Sequence, residues 1–188
     1  MEEFNGIYQE FQPRIHRYLG QLCGEADAND LTQTVFLKVS QSITGFRGDA
    51  SLATWIYRIA TNTARDHALS SLARQRRGEV LFDDDGTMDD LADGDSPATE
   101  QEYIRREMNA CIRGVVDQLP EGYRTVLLLS DFEELTNAEI AGVLGVSMAA
   151  VKIRLHRGRS ALRRAMECRC SLYHDERNEL MCDRKEEG

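Results

Sequence analysis

The sequence predicts an all-α protein: two small helical domains joined by a flexible acidic linker, the second a helix-turn-helix. Three observations carry this. Apolar residues recur at helical spacing on both sides of the chain's middle, an aspartate- and glycine-rich run separates the two halves, and a Gly-containing turn joins two capped helices between Leu119 and Met166. In that last stretch Thr136 can cap a short helix whose Ile140, Ala141 and Leu144 share one face, and Gly145 permits a tight turn. Ser147 can cap the next helix. Val151, Leu155 and Leu162 fall on its buried side, and Lys152, Arg154, Arg157, Arg159, Arg163 and Arg164 cover the rest. A strongly basic helix directly after such a turn suits a DNA major groove; the alternative is a bundle helix with a solvated basic face.

From the N-terminus, Phe4, Ile7, Tyr8, Phe11, Ile15, Tyr18, Leu19 and Leu22 mark a core helix, with Pro13 a local irregularity. After Gly24, Asp27 can cap a second helix in which Leu31, Val35, Val39 and Ile43 form a buried stripe. Asp30, Gln33, Thr34 and Lys38 are left outward as a partner surface or a plain solvated face. Gly45 and Gly48 bracket a loop, and Asp49 or Ser51 can cap a third helix lined by Leu52, Trp55, Ile56, Ile59 and Thr63. Phe46, Trp55 and Tyr57 lie among Arg47, Arg58 and Arg65, a mixture that suits unstacked bases on a phosphate-binding surface, with core packing the competing reading for Trp55. The segment Phe82–Glu102 is aspartate-rich with few apolar residues, which predicts a flexible linker. It accounts for much of the net charge of -9, so local rather than total charge decides nucleic-acid binding. A helix resumes from Thr99 to Leu119, with Tyr103, Met108, Ile112 and Val115 near helical spacing, and Pro120 begins the next element.

No apolar run reaches the length of a membrane span and the N-terminus lacks a signal pattern, so a cytoplasmic protein without membrane insertion is expected. Five cysteines form an odd set, which suggests free thiols or metal ligands. Cys23 and Cys111 lie in apolar helices as inert core. In the tail, Cys168, Cys170, His174 and Cys182 supply three thiolates and an imidazole, a donor set suited to a zinc or copper ion, copper as the cuprous ion. A thiol redox switch and a metal-independent tail with a solvated His174 are the alternatives.

The run Asp30–Gln33 followed by VFLKV, the block Phe46–Asp66 and the block Leu119–Arg164 together resemble a bacterial sigma factor of the extracytoplasmic-function type, in order, over most of the chain from Phe4 to Met166. The resemblance implies four segments. Residues 1–78 would be like sigma region 2, binding polymerase and melting and reading the minus-ten promoter element; residues 79–102 would be the linker. Residues 103–167 would be like region 4, reading the minus-thirty-five element, and residues 168–188 form the Cys/His-rich tail. Asp30, Leu31 and Gln33 match the family's polymerase-binding motif. Phe46, Asp49, Ser51 and Asn62 match positions that capture a base flipped from the minus-ten element, whose unstacking costs a few kcal/mol that a shaped pocket must offset. Lys152, Ile153, His156 and Arg157 match the base-facing positions of the recognition helix, leaving Arg154, Arg159, Arg163 and Arg164 as phosphate contacts or solvated charges. Ile153 and Gly158 depart from the commonest family pattern, which has a small polar residue and an alanine there.

The resemblance further implies that the linker threads near the polymerase active site, where its charge could mimic nucleic acid; a solvated tether is the alternative. The tail resembles the cysteine-rich ends of metal-responsive members. The function implied is promoter-specific transcription initiation with core RNA polymerase and promoter DNA as partners, regulated by an anti-sigma factor, by the tail, or by both. The chain is expected to be no enzyme itself, since no catalytic constellation or phosphate-binding glycine loop stands out. Two competing readings are a helix-turn-helix regulator that is not a polymerase subunit and a metal- or redox-sensing protein.

Overall fold

The protein is seen here as a computed structural model that describes residues 2–76, 112, 114–174 and 180–184. The acidic segment, Tyr103, Met108 and Cys111 lie outside the described residues. Helix α1 runs Glu2–Cys23 and carries Pro13 in its interior without ending there. Its Phe11, Ile15, Tyr18 and Leu19 are buried, so packing over several turns outweighs the one backbone hydrogen bond that a proline removes. Helix α2 spans Glu25–Ser42, and its N-cap is Gly24 rather than Asp27. The sharp reversal out of α1 places Gly24 at a φ of 98°, a conformation glycine adopts without steric cost, and the helix therefore starts before Asp27. Asp27 and Glu25 instead sit in the first turn, where carboxylates complement the helix's positive end.

A 3-10 turn at Ile43–Gly45 leads through a loop into α3, Leu52–Arg76. Of the two expected caps, Ser51 is the one whose hydroxyl accepts from the Thr54 amide, at 3.1 Å. Helix α4, Glu121–Leu127, begins after Pro120, where a proline's missing N–H costs nothing, and widens into a π turn at Leu128–Phe132. Helices α5, Asn137–Leu144, and α6, Met148–Arg169, follow. Past α6, where no regular element was expected, strands β1, Cys170–His174, and β2, Leu180–Arg184, pair antiparallel as a hairpin appended to the all-α fold.

Buried side chains of α1, α2 and α3 form one cluster with those of α4, the π turn, α5 and α6. Within it Tyr18 and Tyr57 meet edge to face with ring centroids 5.4 Å apart. The Thr61 hydroxyl donates to the Tyr57 carbonyl at 2.7 Å and lies 2.9 Å from the Tyr18 hydroxyl, so the Tyr18 phenol has a partner. Helix α5 lies against the start of α3 so closely that a Cβ built on Gly142 would sit 3.2 Å from the Thr54 methyl. Among the described residues, no helix is long and apolar enough to cross a membrane.

Candidate nucleic-acid interface

The helix-turn-helix is built by local hydrogen bonds that its sequence encodes. Thr136 and Glu139 form a reciprocal capping box: the Thr136 hydroxyl accepts from the Glu139 amide, and the Glu139 carboxylate accepts from the Thr136 amide at 3.0 Å. These bonds, the backbone one foremost, hold the Glu139 carboxyl below its ordinary pKa. Gly145 ends α5 in the left-handed conformation at φ 65°, and Ser147 caps α6 by accepting from the Ala150 amide. On α6, Val151 and Leu155 are buried and Gly158 packs on α4, so the opposite face is presented outward.

That face carries the four residues the sequence singled out. Lys152, His156 and Arg157 are exposed, and Ile153 is 53 % exposed, so its side chain is directed to solvent rather than inward. A groove of about 560 Å³ bordered by Asn137, Lys152, His156, Arg159 and Arg163 runs along it. The remaining arginines differ among themselves. Arg159 is bound to Asp131 at 2.6 Å, a hydrogen-bonded charge pair that raises its pKa further, and donates to the Ser130 hydroxyl at 3.3 Å, so its guanidinium is directed to the π turn. Arg163 pairs with Glu167 at 2.9 Å, and Arg164 donates to the Ser160 carbonyl. Arg154 is half-buried and lines a cavity facing α3.

A second exposed stripe lies on α3. Asn62 is exposed, and Trp55, Arg58 and Arg65 fall on the same side at helical spacing, with both arginines exposed. Trp55 is half-buried and tilts against Phe46 with centroids 5.1 Å apart, so the two aromatics support each other at the core's edge. Asp49 is exposed in the preceding loop. Ser51, besides capping α3, donates to the Glu139 carboxylate at 3.1 Å. Tyr57, grouped with the base-stacking aromatics in the sequence, is buried, and its hydroxyl donates to Glu133; burial and that carboxylate raise its pKa, so it stays a neutral donor. Arg58 and Arg65, which the sequence places among these aromatics as phosphate-binding cations, stand four before and three after Asn62 and so share its face of α3.

On α2, Asp30 and Gln33 are exposed, whereas Leu31 is 6 % exposed and belongs to the core. Leu37, seven residues after Asp30 and 59 % exposed, extends the outward stripe with an apolar group that the sequence reading missed.

In the tail, Cys168 is exposed and Cys170, the C-cap of α6, is buried. The strand register pairs Leu172 with Cys182, Cys170 with Arg184 and His174 with Leu180, which places Cys170, His174 and Cys182 on one face of the hairpin. Cys182 is diagonal to both others, but Cys170 and His174 lie four residues apart, about 13 Å along an extended strand. Among the described residues no three His, Cys, Asp or Glu side chains converge as a metal site. Cys23 is half-buried, and burial pushes its thiol pKa up to about 11, in keeping with an inert thiol.

Residues 7–77 match the family Sigma-70 region 2, and residues 109–162 match Sigma-70, region 4. The RNA polymerase sigma-H factor of Pseudomonas aeruginosa is 34 % identical over 87 % of this chain and 86 % of its own length. The ECF RNA polymerase sigma factor SigW of Bacillus subtilis is 30 % identical over 88 % of this chain and 89 % of its own. In fold, the chain is similar to the sigma factor RpoE of Bartonella quintana, solved in complex with the anti-sigma factor NepR, with a TM-score of 0.63, 18 % identity and coverage of 89 % of this chain and 98 % of that one. With both region models and full-length relatives matched in order, the chain belongs to the sigma-70 family as a sigma factor of the extracytoplasmic-function type.

Proposed function

We propose that this sigma factor directs core RNA polymerase to a restricted set of promoters, and that the residues named above divide the work. The observation that carries the reading is the outward face of α6: Lys152, Ile153, His156 and Arg157 are exposed while Val151 and Leu155 anchor the helix from behind. These four read the edges of the minus-thirty-five element, Ile153 touching a thymine methyl, while neighbouring cations meet phosphates. On α3, Asn62 has the donor and acceptor groups to bond a flipped base, and Arg58 and Arg65 neutralise the backbone beside it. Phe46, Asp49 and Ser51 form the rim of that pocket. Asp30, Gln33 and Leu37 dock on polymerase, with Leu31 holding their helix in place. The polymerase supplies the nucleotide chemistry.

Regulation is assigned to two sources. An anti-sigma protein is one, by analogy with the complex of the structural relative. The other is a metal ion at the tail. Cys168, Cys170 and Cys182 as thiolates and His174 as a neutral imidazole would hold zinc or cuprous copper; bound metal would supply a Lewis-acid centre that these soft donors share and that ties the tail together. The donor chemistry and the shared hairpin face support this reading.

The decisive experiment is transcription from a promoter library by purified core polymerase plus this protein, with and without added zinc or copper. Transcripts sharing one upstream sequence pair are expected, and Asn62→Ala should reduce promoter opening more than polymerase binding. No transcripts in any condition would favour a helix-turn-helix regulator outside polymerase. For the tail, Cys182→Ser should lower metal content of the purified chain and alter the metal response while leaving polymerase binding intact; equal metal content in variant and parent would exclude the assignment.

A further inference from the structure

In the α4–α6 block, which shares its core with the α1–α3 block, the outward face of α6 is cationic along its flanks and apolar along its centre line. At about 100° per residue, Ile153 stands two positions from Val151 on one side and from Leu155 on the other, which turns it about 160° away from both buried side chains. It points outward, and Ala149, four residues earlier, is exposed on the same line. Lys152 and His156 stand to one side of this line and Arg157 to the other, all three exposed. Met148 is also exposed but is turned about 140° from Ile153, off the line.

The chemistry of these two side chains limits what they can touch with profit. Neither can donate or accept a hydrogen bond, and Ile153, branched at Cβ, is held near one χ1 rotamer in a helix. Ordering it against a partner therefore costs less conformational entropy than ordering an arginine or a methionine there. On the major-groove edge, guanine, adenine and cytosine offer nitrogen and oxygen acceptors or amino donors, whereas thymine adds a C5-methyl. An apolar side chain pressed on an acceptor or donor strips its water and returns no bond, so the penalty falls on the wrong base. Only a pyrimidine with a methyl at C5 gives Ile153 an apolar partner. With a rise of about 1.5 Å per residue, Ala149 and Ile153 lie about 6 Å apart along α6, a little under two base-pair steps of about 3.4 Å, so they meet different, nearby base pairs.

Resting on the sigma-factor reading, we propose that Ala149 and Ile153 form a two-residue specificity pad that reads C5-methyl groups of nearby pyrimidines in the upstream promoter element, thymine in unmodified DNA and 5-methylcytosine where cytosine is methylated. The flanking Lys152, His156 and Arg157 hold α6 in the groove through phosphates and neighbouring base edges, and the pad selects the register in which they settle. Ile153, with the larger side chain, carries the greater share of the discrimination, and Ala149 the lesser.

The test uses the full chain bound to core polymerase, as parent, Ile153→Ser, Ala149→Ser and Met148→Ala. All three positions are exposed, so the fold is not at stake, and circular dichroism should be unchanged. The upstream element is taken from the transcripts of the promoter library, and each thymine in it, on either strand, is replaced singly by deoxyuridine, which removes the methyl and keeps every hydrogen-bonding group. By fluorescence anisotropy, the parent should lose about fourfold in affinity at one position, the factor given by one buried methyl group, and about twofold at a second within two base-pair steps. Ile153→Ser should erase the larger loss alone, Ala149→Ser the smaller alone, and Met148→Ala neither. At the Ile153 position cytosine should bind the parent about tenfold more weakly than thymine, and methylation of that cytosine at C5 should recover about threefold. No recovery would overturn the 5-methylcytosine arm. A scan in which the parent tolerates deoxyuridine everywhere while transcription proceeds would overturn the pad and leave the sigma-factor reading standing. Losses that persist undiminished in Ile153→Ser and Ala149→Ser would overturn the assignment to these residues. Absence of transcription from every promoter would overturn the sigma-factor reading itself, and the pad with it.

Discussion

Gly158 gives a test of how α6 is seated, because two effects of opposite sign meet at one methyl group. Glycine inside a helix is about 1 kcal/mol less favourable than alanine, and a buried methyl adds roughly 0.8 kcal/mol of transfer free energy. Against this, a Cβ at Gly158 would lie 3.3 Å from the Leu127 Cγ, 3.4 Å from its Cδ1 and 3.4 Å from the Tyr123 Cβ. Carbon pairs prefer roughly 3.5–4.0 Å, so α4 and α6 must part by a few tenths of an ångström. Overpacking costs about 1–3 kcal/mol, and so small a shortfall belongs at the low end. Gly158→Ala should therefore stabilise by about 0.5 kcal/mol, raising Tm by about 1–2 °C for a chain of this size. Gly158→Val, with two further methyls driven at the fully buried Leu127, should destabilise by about 2 kcal/mol. Thermal and urea unfolding of all three proteins decide the matter. A fall in Tm beyond about 2 °C for the alanine variant would refute the reasoning, since it would mean that α4 cannot yield at all.

Thr136→Ala removes the hydroxyl half of the capping box and should cost about 1 kcal/mol at neutral pH. The Glu139 carboxyl is held below its ordinary pKa, so its contribution is present above the unfolded value and lost as pH falls through the folded one; the gap between parent and variant should narrow in urea melts on acidification, as the Thr136 hydroxyl's bond to the carboxylate is lost, and persist in part, because that hydroxyl still accepts from the Glu139 amide. A gap that stays constant into acid would show that the carboxylate is uninvolved. Arg159→Ala should leave the salt dependence of duplex binding almost unchanged, because its guanidinium is committed to Asp131. Arg157→Ala should reduce the slope of log affinity against log salt by up to roughly one. Equal slopes for the two variants, measured by fluorescence anisotropy, would contradict this division.

Much of the helix-turn-helix was legible in sequence because its determinants are local. Thr136, Glu139, Gly145 and Ser147 act through bonds spanning three or four residues, and the burial of Val151 and Leu155 follows from helical period. Asp27 was misread as a cap because nothing local says that the chain reverses at Gly24 in a positive-φ turn. Tyr57 was grouped with surface aromatics because its neighbours in sequence are arginines, whereas its neighbours in space are Tyr18 and Glu133. Arg159 resembled the other cations of α6 until Asp131, twenty-eight residues earlier, came into reach. The hairpin at Cys170–Arg184 escaped notice because its strands are short and its apolar residues few.

From the sequence by itself came the helical class, the capped turn, the basic outward face of α6 and the family, since each depends on spacing within one element or on motif order; that Ile153 joins that face was decided by the structure. Tertiary structure alone decided that the helices of both blocks share one core, that Ser51 meets Glu139, and that the acid of Glu133 is buried among Arg14, Arg17 and Tyr57. Those contacts join residues up to 119 positions apart, and their energy comes from desolvation and charge pairing that exist only once the blocks have met.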